Sequence, residues 1–476
     1  MKKRFALIIF AALIGGIFWF RNTLFPTWNA QELIITFNTP ADDLSAYGLD
    51  TNNHTRIANL YEGLVKLDSN LSITPGLATS WGNIDENTWE FRLREGVIFH
   101  DGSFFSPQDV LNSFEAAKAS GNLQIQPYIN SIESIKIKEG GRLEIKTKTP
   151  DPLLLSKLSK FYIQKDNYIG TGPYQLKNWS PGTYLELSSF ADYWGPQAKF
   201  SNAIYEVDVD WVKREQKFED GKIDILASVP PELASNLSPK ELKTGYGLEV
   251  FFLMFNLNDP IFSQKELRES VQKLVDPQQL VLIGNGFVRP ATQFIAQGVF
   301  GYNEKLMGLN HQVDQEPRDL FGIELKRIDL DYPSSLRTLA EYLASQLKKA
   351  GFSVNLNAND SESLLNKVKN NDLQLYLVGW HAENGDAGSF YDSFIHSQGA
   401  FNQGGYKNET LDRWIEASRS EMEPVKRLEI LKNIAAELEK DLIGIPLFET
   451  SRTYAVQENV EWEPRLDGLI LASEVR

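Results

Sequence analysis

The sequence predicts an α/β protein with two or more lobes. With 476 residues, the chain is too long for a single small core. In its second half, helical segments alternate with strand-like segments in the order β-α-β-α-β. These segments are Ile323–Asp331, Ser334–Ala350, Phe352–Leu356, Ser363–Lys369 and Leu373–Trp380. Such an alternation is typical of a parallel sheet that is covered by helices.

The elements that precede this region are mixed. Glu32–Phe37 predicts a strand, and the apolar spacing within Thr55–Asp68 predicts a helix. Within Asn87–Lys118, alternating apolar residues predict two short strands, and Ser106 followed by Pro107 predicts the start of a helix. Further strands are predicted within Tyr168–Gly195 and Leu442–Val456.

The predicted helix over Ser334–Ala350 has a regular apolar face. Leu339, Leu343 and Leu347 recur at intervals of four residues, which places them on one side of a helix. Gly351 follows directly, and glycine is the residue that most often ends a helix. This helix is therefore expected to cover one face of the sheet.

The composition excludes several classes of function. The net charge is −15, and removing the four basic residues of the first thirty leaves −19 on the rest of the chain. A body this acidic repels phosphate backbones, so we expect no nucleic-acid partner. The chain contains no cysteine, which excludes disulfides, thiolate metal sites, cysteine nucleophiles and a lipid-modified N-terminal cysteine.

The N-terminus predicts a destination outside the cytoplasm. The letters MKKR precede an uncharged apolar run, Phe5–Phe20, and Arg21 follows it. This pattern is typical of a segment that enters the secretory route. A helix of that length spans about 24 Å, against about 30 Å for the membrane core. Residues 1–30 therefore form either a cleaved signal peptide or an uncleaved membrane anchor.

One stretch, LQLYLVGWHAENGDAGSFYDSF (Leu373–Phe394), places polar side chains directly after a buried strand. In open α/β sheets, ligands bind beyond the carboxyl ends of the strands. The stretch therefore indicates a ligand-binding site. Its candidate ligand-binding residues are Trp380, His381, Glu383, Asn384 and Asp386. The structural alternative is that these residues form only a turn and a solvated charge.

Seven segments, spaced in order along the chain, give the sequence a family resemblance. It resembles the extracytoplasmic solute-binding proteins of dipeptide, oligopeptide and nickel ABC transporters, often called family 5. The resemblance covers nearly everything from Glu32 onward. Its segments are NLYEGLVKLDSNLSITPGLATSW, FRLREGVIFHDGSFFSPQDVLNSFE, GTGPYQLKNW, ADYWG, LRESVQKLVDPQQL, YLASQLKKAGFSVNL and GWHAENGD.

The resemblance implies a two-lobed, hinged periplasmic-binding-protein fold of the class II type, with an extra β-rich subdomain in the first lobe. It implies that the chain leaves the first lobe near Leu248–Phe251 and returns near Ile445–Leu447. The expected division is residues 31–248 for the first lobe, including the subdomain at about 61–165. Residues 249–446 would then form the second lobe, and 447–476 the return to the first.

The resemblance also implies a role for Glu383. In this family, an acidic residue shortly after a Gly-Trp strand end pairs with the α-ammonium of a bound peptide, and Glu383 stands where that residue is usually aspartate. The extra methylene moves the carboxylate outward by roughly 1.5 Å, about one C–C bond. Dipeptide-type relatives also carry an arginine that clamps the ligand carboxylate. The spacing of Arg337 puts it on a helix, so this role stays unassigned.

Enzymatic readings have little support in the sequence. Glu383 and Asp386 are three residues apart, whereas a glycosidase pair must face each other across a sugar. A metal site from His381, Glu383 and His396 lacks the usual ligand spacing. The sequence also has no GxSxG, Walker-type or GxGxxG motif. We therefore expect no catalysis, no cofactor and no bound metal.

The resemblance implies capture of a short peptide, or of another small amine-bearing ligand, and its delivery to an ABC transporter permease. We expect a monomer in the periplasm or at the outer face of the cytoplasmic membrane, in contact with the membrane through the N-terminal segment. Two alternatives stay open. The ligand could be another small solute, such as a metal chelate or an oligosaccharide, or the same fold could serve an anchored sensor or scaffold.

Overall fold

The computed structural model describes residues 32–49, 51–166, 168–309, 311, 327–402 and 404–476. The apolar run Phe5–Phe20, and with it the choice between signal peptide and anchor, lies outside the described residues. Among the residues described, no helix combines the length and the apolar character needed to cross a membrane.

The described residues contain seventeen strands. They are β1 (Glu32–Phe37), β2 (Val65–Leu67), β3 (Ile73–Pro75), β4 (Ala78–Asp85), β5 (Thr88–Leu93), β6 (Ile132–Ile137), β7 (Arg142–Thr147), β8 (Tyr174–Ser180), β9 (Tyr184–Ser189), β10 (Asn202–Val207), β11 (Ile225–Leu226), β12 (Leu242–Phe255), β13 (Val288–Pro290), β14 (Arg327–Pro333), β15 (Ser353–Asn359), β16 (Leu375–His381) and β17 (Gly444–Val456).

Twelve α-helices lie in the same part of the chain. They are α1 (Thr51–Ile57), α2 (Pro107–Ser120), α3 (Gln126–Ile129), α4 (Leu154–Leu158), α5 (Trp211–Glu219), α6 (Lys265–Lys273), α7 (Pro277–Ile283), α8 (Arg337–Lys349), α9 (Ser361–Lys369), α10 (Gly388–Phe390), α11 (Glu409–Ser420) and α12 (Pro424–Asp441). A π-helical turn, Tyr391–Ile395, continues α10.

One mixed sheet of eleven strands runs through both lobes. Its order is β15-β14-β16-β12-β17-β11-β1-β10-β9-β8, and β13 pairs with β17. The long strands β12 and β17 are antiparallel neighbours, and their register is irregular between Tyr246 and Val250. The second half of β17 therefore pairs with β11 of the first lobe, and the second half of β12 pairs with β16 of the second lobe.

The β-α-β-α-β prediction is confirmed for the second lobe by β14, α8, β15, α9 and β16. The two helices cover opposite faces of the sheet. Leu343 of α8 packs in a buried cluster with Leu253, whereas Leu364 of α9 packs in another with Phe252. The connection after β14 leads to β15 on one side of β14, and the connection after β15 leads to β16 on the other side. The strand order therefore switches between β14 and β16.

A smaller antiparallel sheet, β4-β5-β7-β6, forms the β-rich subdomain with α2. Its core includes Phe91, Val110 and Ile145, all fully buried. The prediction that α2 begins after Ser106 is confirmed. Ser106 is the N-cap, and its backbone N–H donates to the Asp109 carboxylate at 2.8 Å.

The prediction of a helix over Thr55–Asp68 is wrong. Helix α1 ends at Ile57, and Val65–Leu67 forms strand β2, which pairs with β3. Between them, Gly63 brings its backbone against Leu158, and a Cβ at Gly63 would lie 2.4 Å from the Leu158 carbonyl oxygen. Tertiary pairing with the subdomain therefore overrides the helical spacing of the apolar residues.

Candidate functional site

The candidate site lies where the second lobe meets the first. Strand β16 ends at His381, which pairs with Glu249 of β12 at the irregular step between the lobes. The carboxyl ends of the parallel strands β14 and β16 point toward this step. In open α/β sheets, the end of the strands beside a switch in strand order is the usual position of a ligand crevice.

Trp380 forms one wall of the site. Its ring packs on Phe390 and Phe394, with centroid distances of 5.9 and 5.5 Å. Its Nε1 is buried and has no hydrogen-bond partner among the described residues. Buried tryptophan N–H groups normally find an acceptor, so an acceptor for this one has to come from outside the described residues.

His381 presents a second polar atom without a partner. Its Nε2 is buried and makes no hydrogen bond within the described part of the chain. Burial, together with the smaller effect of the positive charges of Arg452 and Lys160, lowers the pKa of His381 to about 4. The imidazole is therefore neutral at pH 7, and its tautomer can adapt to a donor or an acceptor on a ligand.

This lowered pKa predicts that His381 makes the protein sensitive to acid. The unfolded chain binds a proton at His381 below about pH 6.5, whereas the folded protein does so only near pH 4. Stability is therefore lost as the pH falls through this window, by about 2 kcal/mol between pH 7 and pH 5 from this group. Urea unfolding of wild type and His381→Gln at both pH values measures it. The variant should lose about 2 kcal/mol less, and an equal loss in both proteins would contradict the assignment.

The loop of residues 382–386 contacts the subdomain of the first lobe. The Lys160 ammonium donates to the Glu383 carbonyl oxygen at 2.6 Å, and the Ser156 hydroxyl donates to the Asn384 carbonyl oxygen at 3.0 Å. A turn closes this loop, in which Gly385 donates to Ala382 at 2.9 Å. The predicted site residues Glu383 and Asn384 therefore lie on the boundary between the lobes.

The side chains of Glu383 and Asn384 remain available there. Glu383 is exposed, and its negative charge reaches Tyr128 and Lys160 across the boundary. The Asn384 Oδ1 is buried and has no hydrogen-bond partner among the residues described. The loop thus binds the first lobe through its backbone, and the Glu383 and Asn384 side chains make no hydrogen bond among the residues described.

Lys160 is a site residue that sequence reasoning missed. Burial lowers its pKa, while the nearby Glu383 carboxylate acts in the opposite direction. Nothing in the local sequence marks this lysine, because its partner lies 223 residues later in the chain. Only the packing of the two lobes brings Lys160 and Glu383 together.

Asp386 has a different role from the one expected. Its carboxylate accepts two hydrogen bonds from Arg427 at 2.5 and 2.8 Å and one from the Gly388 backbone at 2.8 Å. Both charged side chains are only 5% exposed. The expectation that Asp386 binds the ligand is therefore corrected, because both its oxygens hold the loop to α12.

Two arginines are candidates for the residue that would bind the carboxylate of a ligand. Arg337 begins α8, is 75% exposed, and pairs with Glu341 on its own helix at 3.3 Å. Arg452, on β17 beside the interlobe step, has a charge that acts on His381 and Glu249. Its Nη1 is buried without a hydrogen-bond partner in the described part of the chain. Arg452, unlike Arg337, lies near enough to His381 for its charge to lower the pKa of that residue.

The first lobe contributes a polar cavity of about 130 Å³ next to Lys160. Its walls include two groups of paired charges, Lys66 with Glu62 and Arg465 with Asp467. The described residues contain no group of three or more His, Asp or Glu side chains that could hold a metal ion.

Comparison with known families establishes the class of protein to which this fold and candidate site belong. Residues 72–402, more than half of the chain, match the family described as bacterial extracellular solute-binding proteins, family 5. The chain belongs to this family, whose members bind solutes for ABC importers. It is therefore an extracytoplasmic binding protein and not an enzyme.

Individual relatives bind different solutes. The chain is 25% identical to the nickel-binding protein NikA of Staphylococcus aureus, over 80% of this chain and 81% of that protein. It is 21% identical to the glutathione-binding protein GsiB of Salmonella typhi, over 92% of both. The solved unliganded open form of MppA, a periplasmic murein tripeptide-binding protein, shares the fold, with a TM-score of 0.82 at 17% identity. That match covers 94% of this chain and 97% of the other.

Proposed function

We propose that the protein captures short peptides with a free amino terminus between its two lobes and delivers them to the permease of an ABC importer. One observation carries this proposal. An exposed carboxylate, Glu383, stands at the lobe boundary beside buried polar atoms of Trp380, His381 and Arg452 that lack partners in the described part of the chain. A buried polar atom without a partner is costly, so a ligand that supplies partners gains affinity.

The available groups suit the chemistry of a peptide. The Glu383 carboxylate matches an α-ammonium group, and the Trp380 N–H matches a peptide carbonyl oxygen. Neutral His381 can accept from a peptide N–H or donate to a carbonyl. Arg452 and Lys160 are two cations whose charges act on His381, and either can meet the terminal carboxylate of a short peptide.

The relatives support a peptide and also a competing ligand. Glutathione, named for GsiB, and the murein tripeptide, named for MppA, are both peptides. NikA is named for nickel, so a metal chelate is the second candidate. A chelate carries its own metal ligands, and the polar atoms of the site would then bind the chelating molecule.

Mass spectrometry of the purified protein tests which class of ligand it carries. The protein is purified without added ligand and then denatured, and the released small molecules are analysed. We expect short peptides with free amino termini to be released in amounts comparable to the protein. Recovery of a nickel complex, or of a ligand without an amine, would contradict the peptide proposal.

We further propose that the hinge lies at the irregular step of β12, residues 247–249, and at Thr450 on β17. The pairing of these strands is interrupted only there and next to Phe251, among their described pairs. An interruption in the strand pairing lets the two halves of the sheet rotate with little loss of hydrogen bonding. This would place residues up to 246 and from 451 onward in one moving body and residues 250–449 in the other, close to the division at 248 and 447 that the resemblance implies.

The apolar run Phe5–Phe20 fits delivery of the chain to the outer face of the cytoplasmic membrane. A retained run would hold the binding protein close to its permease, and a cleaved run would release it. The sequence leaves both alternatives open. We propose that the protein acts as a monomer, since each chain carries both lobes of the site.

A further inference from the structure

A crevice opens between the carboxyl ends of β14 and β16. These strands pair only at Leu330 with Leu375 and at Asp331 with Tyr376. Beyond these pairs, β14 continues to Pro333 beside β15 and β16 continues to His381 beside β12, but β14 and β16 no longer pair with each other. The two strands therefore separate where the strand order switches. The resulting cavity has a volume of about 370 Å³.

The walls of this crevice are mainly apolar. Its aromatic and aliphatic walls come from β12, α9, β16 and the residues that follow α10. They include Phe251, Leu364, Leu365, Trp380, Phe394 and Phe401. The rings form a continuous surface, since Phe394 packs on Trp380 at 5.5 Å and on Phe401 at 5.1 Å. An apolar cavity of this kind favours an apolar group over water.

Leu365 marks the open side of the crevice. It lines the cavity on α9 and is 40% exposed. The cavity is also lined by Pro333, the last residue of β14, and by Ser335 in the turn that follows it. An exposed leucine alone needs no explanation. Here it continues a wall of buried apolar residues, so a group that enters the crevice would cover it.

The crevice adjoins the proposed peptide site. Trp380 lines the crevice, and Glu383 of the proposed peptide site follows it by three residues. Gly379 lies at the junction, where a Cβ would come within 2.7 Å of the Phe251 ring. Glu249, at the inner end, pairs with His381 in the sheet. A ligand held at Trp380 and Glu383 therefore has this crevice next to it.

We propose that the crevice is a specificity pocket that takes one large apolar side chain of the captured peptide, aromatic or leucine-sized. This inference rests on the proposed function and adds the class of peptide to it. A cationic side chain fits less well. The one carboxylate in the crevice, Glu249, already accepts from the Thr450 hydroxyl at 3.3 Å and lies in the field of Arg452.

Calorimetric titration with matched tripeptides tests the pocket. The probes are trialanine and the three peptides in which one alanine is replaced by phenylalanine. We expect one of the three to bind about 10- to 100-fold more tightly than trialanine, since the pocket buries its ring. If all three bind as trialanine does, the pocket plays no part in specificity.

Two variants locate this gain in the crevice. Leu365→Asp places a charge in the pocket wall and should remove most of the preference for phenylalanine while leaving trialanine binding unchanged. Leu282→Asp on α7 is the matched control, because Leu282 is also an exposed helical leucine, at 66% exposure, and does not line the crevice. The control should keep the full preference. Equal effects of both variants, or an equal loss for all peptides, would overturn the proposal.

A second probe separates this inference from the proposed function. Ligand-observed NMR with indole detects the pocket without any peptide. We expect indole to bind wild type and Leu282→Asp and to bind Leu365→Asp at least tenfold more weakly. Indole binding without binding of any tripeptide would overturn the peptide function but retain an apolar pocket. Tripeptide binding without a phenylalanine preference or indole binding would overturn the pocket alone, and absence of both would overturn both.

Discussion

Replacing Arg427 with methionine is expected to lower the free energy of unfolding by about 3–5 kcal/mol. Arg427 holds both oxygens of Asp386, and both side chains are only 5% exposed. Its Nε also donates to the Ser418 carbonyl oxygen at 2.9 Å. Without the guanidinium, the Asp386 carboxylate stays buried without its charged partner, and this is the main cost.

Arg413→Met is the matched control for this prediction. Arg413 lies on α11 in the same lobe, is 66% exposed, and meets Glu409 at only 4.0 Å. Because exposed pairs contribute little, this variant should lose less than about 1 kcal/mol. Urea unfolding of the three proteins at pH 7 measures both values. A loss below about 1 kcal/mol for Arg427→Met would contradict a structural role for the Asp386–Arg427 pair.

The second large effect is expected at Glu383. If the carboxylate binds the α-ammonium of the peptide, Glu383→Gln removes one charge-assisted hydrogen bond, worth about 1.5–3 kcal/mol. Affinity for a peptide with a free amino terminus should therefore fall by about 10- to 150-fold. Stability should change little, because the side chain is exposed and the loop binds Lys160 through its backbone carbonyl.

Glu429→Gln provides the control for charge. Glu429 is exposed on α12 of the same lobe, so this variant makes the same change in net charge away from the site. It should bind peptide as wild type does. If both variants weaken binding equally, the effect is a general one of charge and Glu383 is not the ammonium partner.

The sequence predicts elements best where the signals are local. The order β14-α8-β15-α9-β16 follows from apolar periodicity, and the start of α2 follows from Ser106 and Pro107. The helix expected over Thr55–Asp68 fails because Gly63 packs against Leu158, about a hundred residues later in the chain. No local pattern reports such a contact.

In the candidate site, too, the sequence predicts what depends on local signals and misses what depends on long-range contacts. Trp380 and His381 end a buried strand, and Glu383 and Asn384 follow it. The sequence predicts them as ligand-binding residues because strand ends are where ligands bind in these sheets. Asp386 lies in the same run, but its partner Arg427 comes 41 residues later and binds it within the core. Lys160 and Arg452 reach the site from the first lobe and the interlobe step, so only the folded chain reveals them.

The central claim is that the protein recognises a free peptide amino terminus at the lobe boundary. Calorimetric titration of wild-type protein with one peptide and with its N-acetylated form tests this most directly, because acetylation removes the positive charge and leaves the other peptide groups in place. We expect the acetylated peptide to bind about 10- to 150-fold more weakly, as in the Glu383→Gln variant, and that variant should no longer distinguish the two peptides. Equal affinity of wild type for both peptides would contradict the claim.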